Sequence, residues 1–103
     1  MMEAADRAKR SHEIERAELA RGVLENPLFI EAFEAVEKEL MTQWKQNAAL
    51  NQDGRERVFL MVTLLGQLRQ HLTQHIATGE MARLQLKEHK TLMERLGRHS
   101  ART

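Results

Sequence analysis

Cysteine and tyrosine are absent from this 103-residue chain, proline occurs once, glycine five times, and aromatic residues make up only 4%. Without cysteine there is no disulfide, no thiolate nucleophile and no thiolate metal site, and nothing points to an oxidising compartment, so an intracellular protein is expected. No apolar stretch approaches the ~20 residues that span a bilayer, and the first ten residues mix small and charged side chains instead of leading into a signal-peptide core. Neither membrane insertion nor secretion is expected. Strand signals are nearly lacking, since few β-branched residues alternate with polar ones. What the chain has in quantity is Ala, Leu, Glu, Gln, Lys and Arg, the residues that favour helices. The expected class is all-α in a single domain, and a chain this short buries only about two-thirds of the surface its unfolded form exposes.

The formal net charge of +1 conceals an uneven distribution. Residues 26–54 carry two basic and five acidic side chains, whereas residues 83–103 carry six basic and two acidic. A basic end of this kind can approach a phosphate backbone or an acidic protein surface, and a solvated face has the same composition.

Residues 1–10 show no apolar periodicity and are expected to form a flexible N-terminus. A short helix is expected over Ser11 to Leu24, with a thin stripe of Ile14, Ala17, Val23 and Leu24. Asn26 followed by Pro27 punctuates the chain, because asparagine is a favoured N-cap and proline is tolerated at the first helical position. The second helix runs to about Gln46, with Phe29, Ile30, Phe33, Val36, Leu40 and Trp44 on one side. Asn47 to Gly54 reads as a loop whose Asp53 caps a third helix, Glu56 reaching back from three residues on. Along that helix Val58, Met61, Leu65, Leu68 and Leu72 recur at alternating spacings of three and four, and Ile76 closes the series. Thr78 and Gly79 read as its stop, since glycine closes helices in the left-handed conformation. A fourth helix is expected over residues 80–97, followed by a basic tail at 98–103.

The third helix alone would be about 36 Å long, so an elongated molecule is expected, with residues 27–78 forming a central antiparallel helical hairpin flanked by N- and C-terminal helices. Phe59 and Val62, with Leu64 as a further candidate, add a second apolar row, making the arc wider than one partner helix covers. Association into an oligomer is therefore expected, with Trp44, Phe59, Val62, Leu65 and Leu72 at the contact face. The candidate contacts to DNA or an acidic partner are Arg83, Lys87, Lys90, Arg95, Arg98 and Arg102.

Chemistry of other kinds finds little footing. His71 and His75 have the four-residue spacing of a helical metal pair, but no acidic residue shares their register, and His75 falls at a core-seam position of the heptad, where a buried histidine hydrogen-bonded to a partner is the better reading. Neither serine lies outside the ends of the chain, the glycines are isolated instead of gathered in a phosphate-cradling loop, and the glutamates of the second helix repeat as a solvated face does. No enzyme, cofactor or metal site is expected. The turn at Thr78–Gly79 before a basic helix has the outline of a helix-turn-helix, although the preceding helix is too long for one. No aromatic residue is interleaved with either basic cluster, so stacking on single strands is not indicated.

The string Val23-Leu24-Glu25-Asn26-Pro27-Leu28-Phe29, followed by Glu31-Ala32-Phe33, Glu37, Trp44, Asp53, Arg55-Glu56-Arg57 and Gly79, resembles small helical proteins encoded among bacteriophage and prophage head and DNA-packaging genes. The resemblance covers about half the chain. It implies a non-catalytic, small-terminase-like oligomer acting in DNA packaging or head assembly, in the host cytoplasm or associated with the virion. Its implied partners are its own copies, another phage assembly protein and double-stranded DNA. A small terminase carries an N-terminal helix-turn-helix, and residues 1–25 are too short to hold one. The competing reading is a helical interaction module, an inhibitor, chaperone or scaffold, that binds a protein without contacting DNA.

Overall fold

The computed structural model describes residues 2–47 and 51–101, with the side chains of all but residues 47 and 99–101 among them. The described chain is all-helical: α1 spans Ala4–Leu24, α2 Pro27–Asn47 and α3 Gln52–Ala101, with no strand among the described residues.

The starts of α2 and α3 each follow from a side-chain acceptor. The Oδ1 of Asn26 accepts the backbone N–H groups of Leu28 (2.9 Å) and Phe29 (3.2 Å), two of the donors that the first turn of a helix leaves without intrahelical partners. At α3 the acceptor is the Oδ1 of Asn51, bound by the N–H groups of Asp53 and Gly54 at 3.0 and 3.3 Å. The helix therefore starts at Gln52, and Asp53, expected as the cap, lies inside its first turn. Of the expected loop at 47–54, residues 48–50 lie outside the described residues.

Two further expectations are corrected. Residues 4–10, read as flexible, belong to α1, where Ala4, Ala5 and Ala8 favour the helix and Arg10 binds Glu13 at 2.7 Å. The stop at Thr78–Gly79 does not exist: α3 runs 50 residues without a break, absorbing the separate helix expected at 80–97 and residues 98–101 of the tail. No described glycine has a positive φ. Gly79 lacks a side chain for another reason, namely that a Cβ built there would overlap the Cβ of Ala17 and sit 3.0 Å from the Glu13 carbonyl oxygen.

The contacts divide into two units, residues 1–20 with 74–103 and residues 21–73. In the first, α1 meets α3 through small residues: Ala17, Ala20 and Ala82 are buried together with Gly79, so backbones come close and little apolar area is removed from water. In the second, Phe33 and Leu40 of α2 and Val58 of α3 are buried, with Phe29, Trp44, Leu65 and Leu72 half-buried around them. The Phe29 and Phe33 rings sit 5.8 Å apart, tilted at 39°.

Candidate assembly surface

Within residues 21–73, a single helix covers a single row of its neighbour. Val58, Leu65 and Leu72, seven residues apart, are buried or half-buried, whereas Met61 and Leu68, from the same heptad series, are 49% and 51% exposed. The heptad spacing predicts that the whole series Val58, Met61, Leu65, Leu68 and Leu72 meets Phe33, Val36, Leu40 and Trp44 of α2; the structure corrects this for Met61, Leu68 and Val36, which are exposed. The apolar arc of α3 is wider than the strip that Phe33 and Leu40 reach.

Helical geometry sorts the uncovered residues to the two sides of the covered row. On one side, Phe59 (60% exposed) and Val62 face the same way as Met41 and Trp44 of α2, and the four border an open groove floored by Val58. Arginines fix this side: the Arg55 guanidinium lies 5.0 Å over the Trp44 ring, and that of Arg69 lies 4.0 Å over Phe33 and 3.9 Å from a Glu37 carboxylate oxygen. Such contacts orient both partners while contributing about 0.5–1 kcal/mol each at exposed sites. On the other side Met61, Leu64 (63% exposed) and Leu68 form an uncovered ridge, with Val36 of α2 alongside. Among the residues expected at the contact face, Phe59 and Val62 are therefore exposed, Trp44 is half-buried at the edge of the groove, and Leu65 and Leu72 are half-buried within the covered row.

Of the expected cationic contacts, Lys87, Lys90, Arg95 and Arg98 are exposed on α3. Arg83 donates to a Glu18 carboxylate oxygen at 3.1 Å, and Arg102 lies outside the described residues. Arg83, Lys87, Lys90 and Arg98 follow one another at spacings that keep them on one side of the helix, with Glu94 between the last two. Beside this stripe Leu84 and Leu92 are exposed along a shallow trough that also holds Lys87, Thr91 and Arg95.

Among the described residues no three His, Asp or Glu side chains converge as metal ligands would. His71 is exposed and His75 half-buried. The hydroxyls of Thr42, Thr63, Thr73 and Thr91 donate to carbonyls four residues earlier, at 2.9 to 3.0 Å, and so are satisfied within their own helices. No described helix is long and apolar enough to cross a membrane. The chain matches no family model, no curated protein and no solved structure.

Proposed function

We propose that this chain is a non-enzymatic helical assembly protein whose copies join through the uncovered apolar surface of α2 and α3, as an antiparallel hairpin unit of a homo-oligomer. The observation that carries the reading is the groove at Met41, Trp44, Phe59 and Val62 together with the ridge at Met61, Leu64 and Leu68. Apolar surface in this concentration, flanking a core row that is already filled, is what assembly interfaces look like before they are covered. The setting, phage DNA packaging or head assembly, rests on the resemblance carried by the segments Ala20 to Trp44 and Asp53 to Gly79. The aligned cations Lys87, Lys90 and Arg98, joined by Arg95, supply a surface for a phosphate backbone.

A second reading, a module that binds a different protein through α3, is favoured by the trough at Leu84 and Leu92. A helix that only tracks phosphates has no use for exposed leucines between its cations. Electrophoretic mobility of duplex DNA separates the two. The packaging reading expects a shift whose affinity falls with salt at a log–log slope of about −3 to −4 for four phosphates neutralised. Replacing Lys87, Lys90, Arg95 and Arg98 by glutamine should abolish the shift while leaving helix content intact. No shift at low salt would discard DNA as the partner. For the assembly itself, sedimentation velocity of the double variant Phe59→Glu, Leu64→Glu should show slower sedimentation than the original chain; identical profiles would discard the α2–α3 surface as the contact.

A further inference from the structure

We infer that the outer side of α3 between Leu84 and Arg95 is a docking groove for an acidic amphipathic helix of another protein. The inference rests on the protein-binding reading above, names the chemistry of the partner, and concerns only the unit formed by residues 1–20 and 74–103. In that unit α1 takes the side of α3 marked by the buried Gly79 and Ala82. At ~100° per residue, the trough at Leu84, Lys87, Glu88, Thr91, Leu92 and Arg95 is centred about half a turn round the helix from that side. Leu84 and Leu92, 55% and 46% exposed, therefore lie on a face that α1 leaves open.

The form of the trough is that of a helix-binding groove. Leu84, Glu88 and Leu92 make one wall and Lys87, Thr91 and Arg95 the other, each a row at four-residue spacing. Between two such rows the side-chain ridge of a second helix packs. Thr91 is half-buried, and its hydroxyl donates to the Lys87 carbonyl at 2.9 Å, so it requires no polar group from an occupant. The two leucines and the two cations are each eight residues, about 12 Å, apart along α3. An incoming ridge thus meets leucine on one wall with its apolar side chains while its carboxylates reach both ends of the other.

Charge complementarity selects an acidic occupant. Lys87, Lys90, Arg95 and Arg98 are exposed and have no ionic partner among the described residues, unlike Arg83, which binds Glu18. Glu88 separates a protein helix from a phosphate backbone. It stands between the two leucines of the opposite wall, where a uniform polyanion meets repulsion, whereas a helix places a neutral or basic side chain there. A lipid surface fits less well still, because a helix that lies on one gathers its apolar residues in a single arc. Here Glu88 and Arg95 point between the directions of Leu84 and Leu92.

The test titrates the full chain against a fluorescein-labelled peptide of three heptads, with leucine at two positions of each and glutamate flanking them, and follows anisotropy. Two control peptides have the same composition in scrambled order, or glutamine in place of glutamate. The ordered acidic peptide should bind, and both controls should bind about tenfold more weakly or not at all. Leu84→Gln with Leu92→Gln, and separately Lys87→Gln with Arg95→Gln, should each weaken binding by about tenfold, as loss of central interface contacts does. These positions are exposed in the free chain, so helix content should persist, which far-UV circular dichroism checks; if the leucine variant loses helix, Leu84→Ala with Leu92→Ala takes its place. Equal binding of ordered and scrambled peptides, or full affinity in the leucine variant, would overturn the groove while leaving protein binding by charge alone. A DNA duplex or phosphatidylserine vesicles bound in preference to the ordered peptide would overturn the inference and the protein-binding reading together, and a chain that binds none of these probes would overturn the inference.

Discussion

At the scale of single residues, the two glycines in α1 and at the α1–α3 contact make opposite predictions. Gly79→Ala places a methyl group onto Ala17 and should destabilise by about 1–3 kcal/mol through overpacking. Gly22→Ala meets nothing within 4 Å and should stabilise by about 0.5–1 kcal/mol, because alanine loses less backbone freedom in a helix. Thermal melts followed by circular dichroism should move in opposite directions, and a common direction would remove the close approach from the account. Asn26→Ala should cost about 1 kcal/mol, the usual value of an N-cap, since two N–H groups lose their acceptor. Asn26 was legible in the sequence because its cap precedes a proline that cannot continue an earlier helix. Gly79 was visible as a special position but its role was not. A helix stop and a backbone contact both call for the absence of a Cβ, and only the partner across the contact distinguishes them. Asn51 and Asp53 pose the same problem at α3, two competent acceptors two residues apart, with the choice made by the backbone around them.

At the scale of elements, α3 is the larger surprise. Residues 80–97 carry their own apolar pattern, which is why they read as a separate helix, but the heptad register of Val58, Leu65 and Leu72 continues through Gly79 to Leu86, a half-buried position. Thr78→Pro tests this continuity. In an unbroken helix it removes a hydrogen bond and drives its ring into the preceding turn, costing about 3 kcal/mol, whereas a turn at 78–79 would accept it. Loss of helix content or a melting temperature lowered by several degrees is the expected result, and an unchanged melt would contradict it. Phe33→Ala, which empties the centre of the α2–α3 contact and strips Arg69 of its ring, should cost about 3–5 kcal/mol. The heptad made Val58, Leu65 and Leu72 legible as a row. Periodicity reports which residues share a side of a helix, not how much of that side a neighbour reaches, so the exposure of Met61 and Leu68 was beyond it.

At the scale of the whole molecule, charge and apolar surface are segregated along the sequence: the acidic stretch, residues 26–54, supplies half of the groove, and the basic stretch, residues 83–103, holds the cationic stripe. The excess of apolar residues over what one hairpin can bury was readable from composition and spacing, and led directly to Phe59 and Val62. The spacing also offered Leu64 to the same row as Phe59 and Val62, whereas helical geometry leaves it with Met61 and Leu68 on the other side of the strip that α2 covers. The setting proposed for this chain depends on a resemblance of sequence strings, and the salt dependence of DNA binding is its proper test. The central claim, that the α2–α3 surface is covered by further copies of the chain, is tested most directly by the molar mass of the original protein in solution. Light scattering at micromolar concentration should return the mass of two or more chains of 12.0 kDa each, whereas the mass of one chain would contradict the claim.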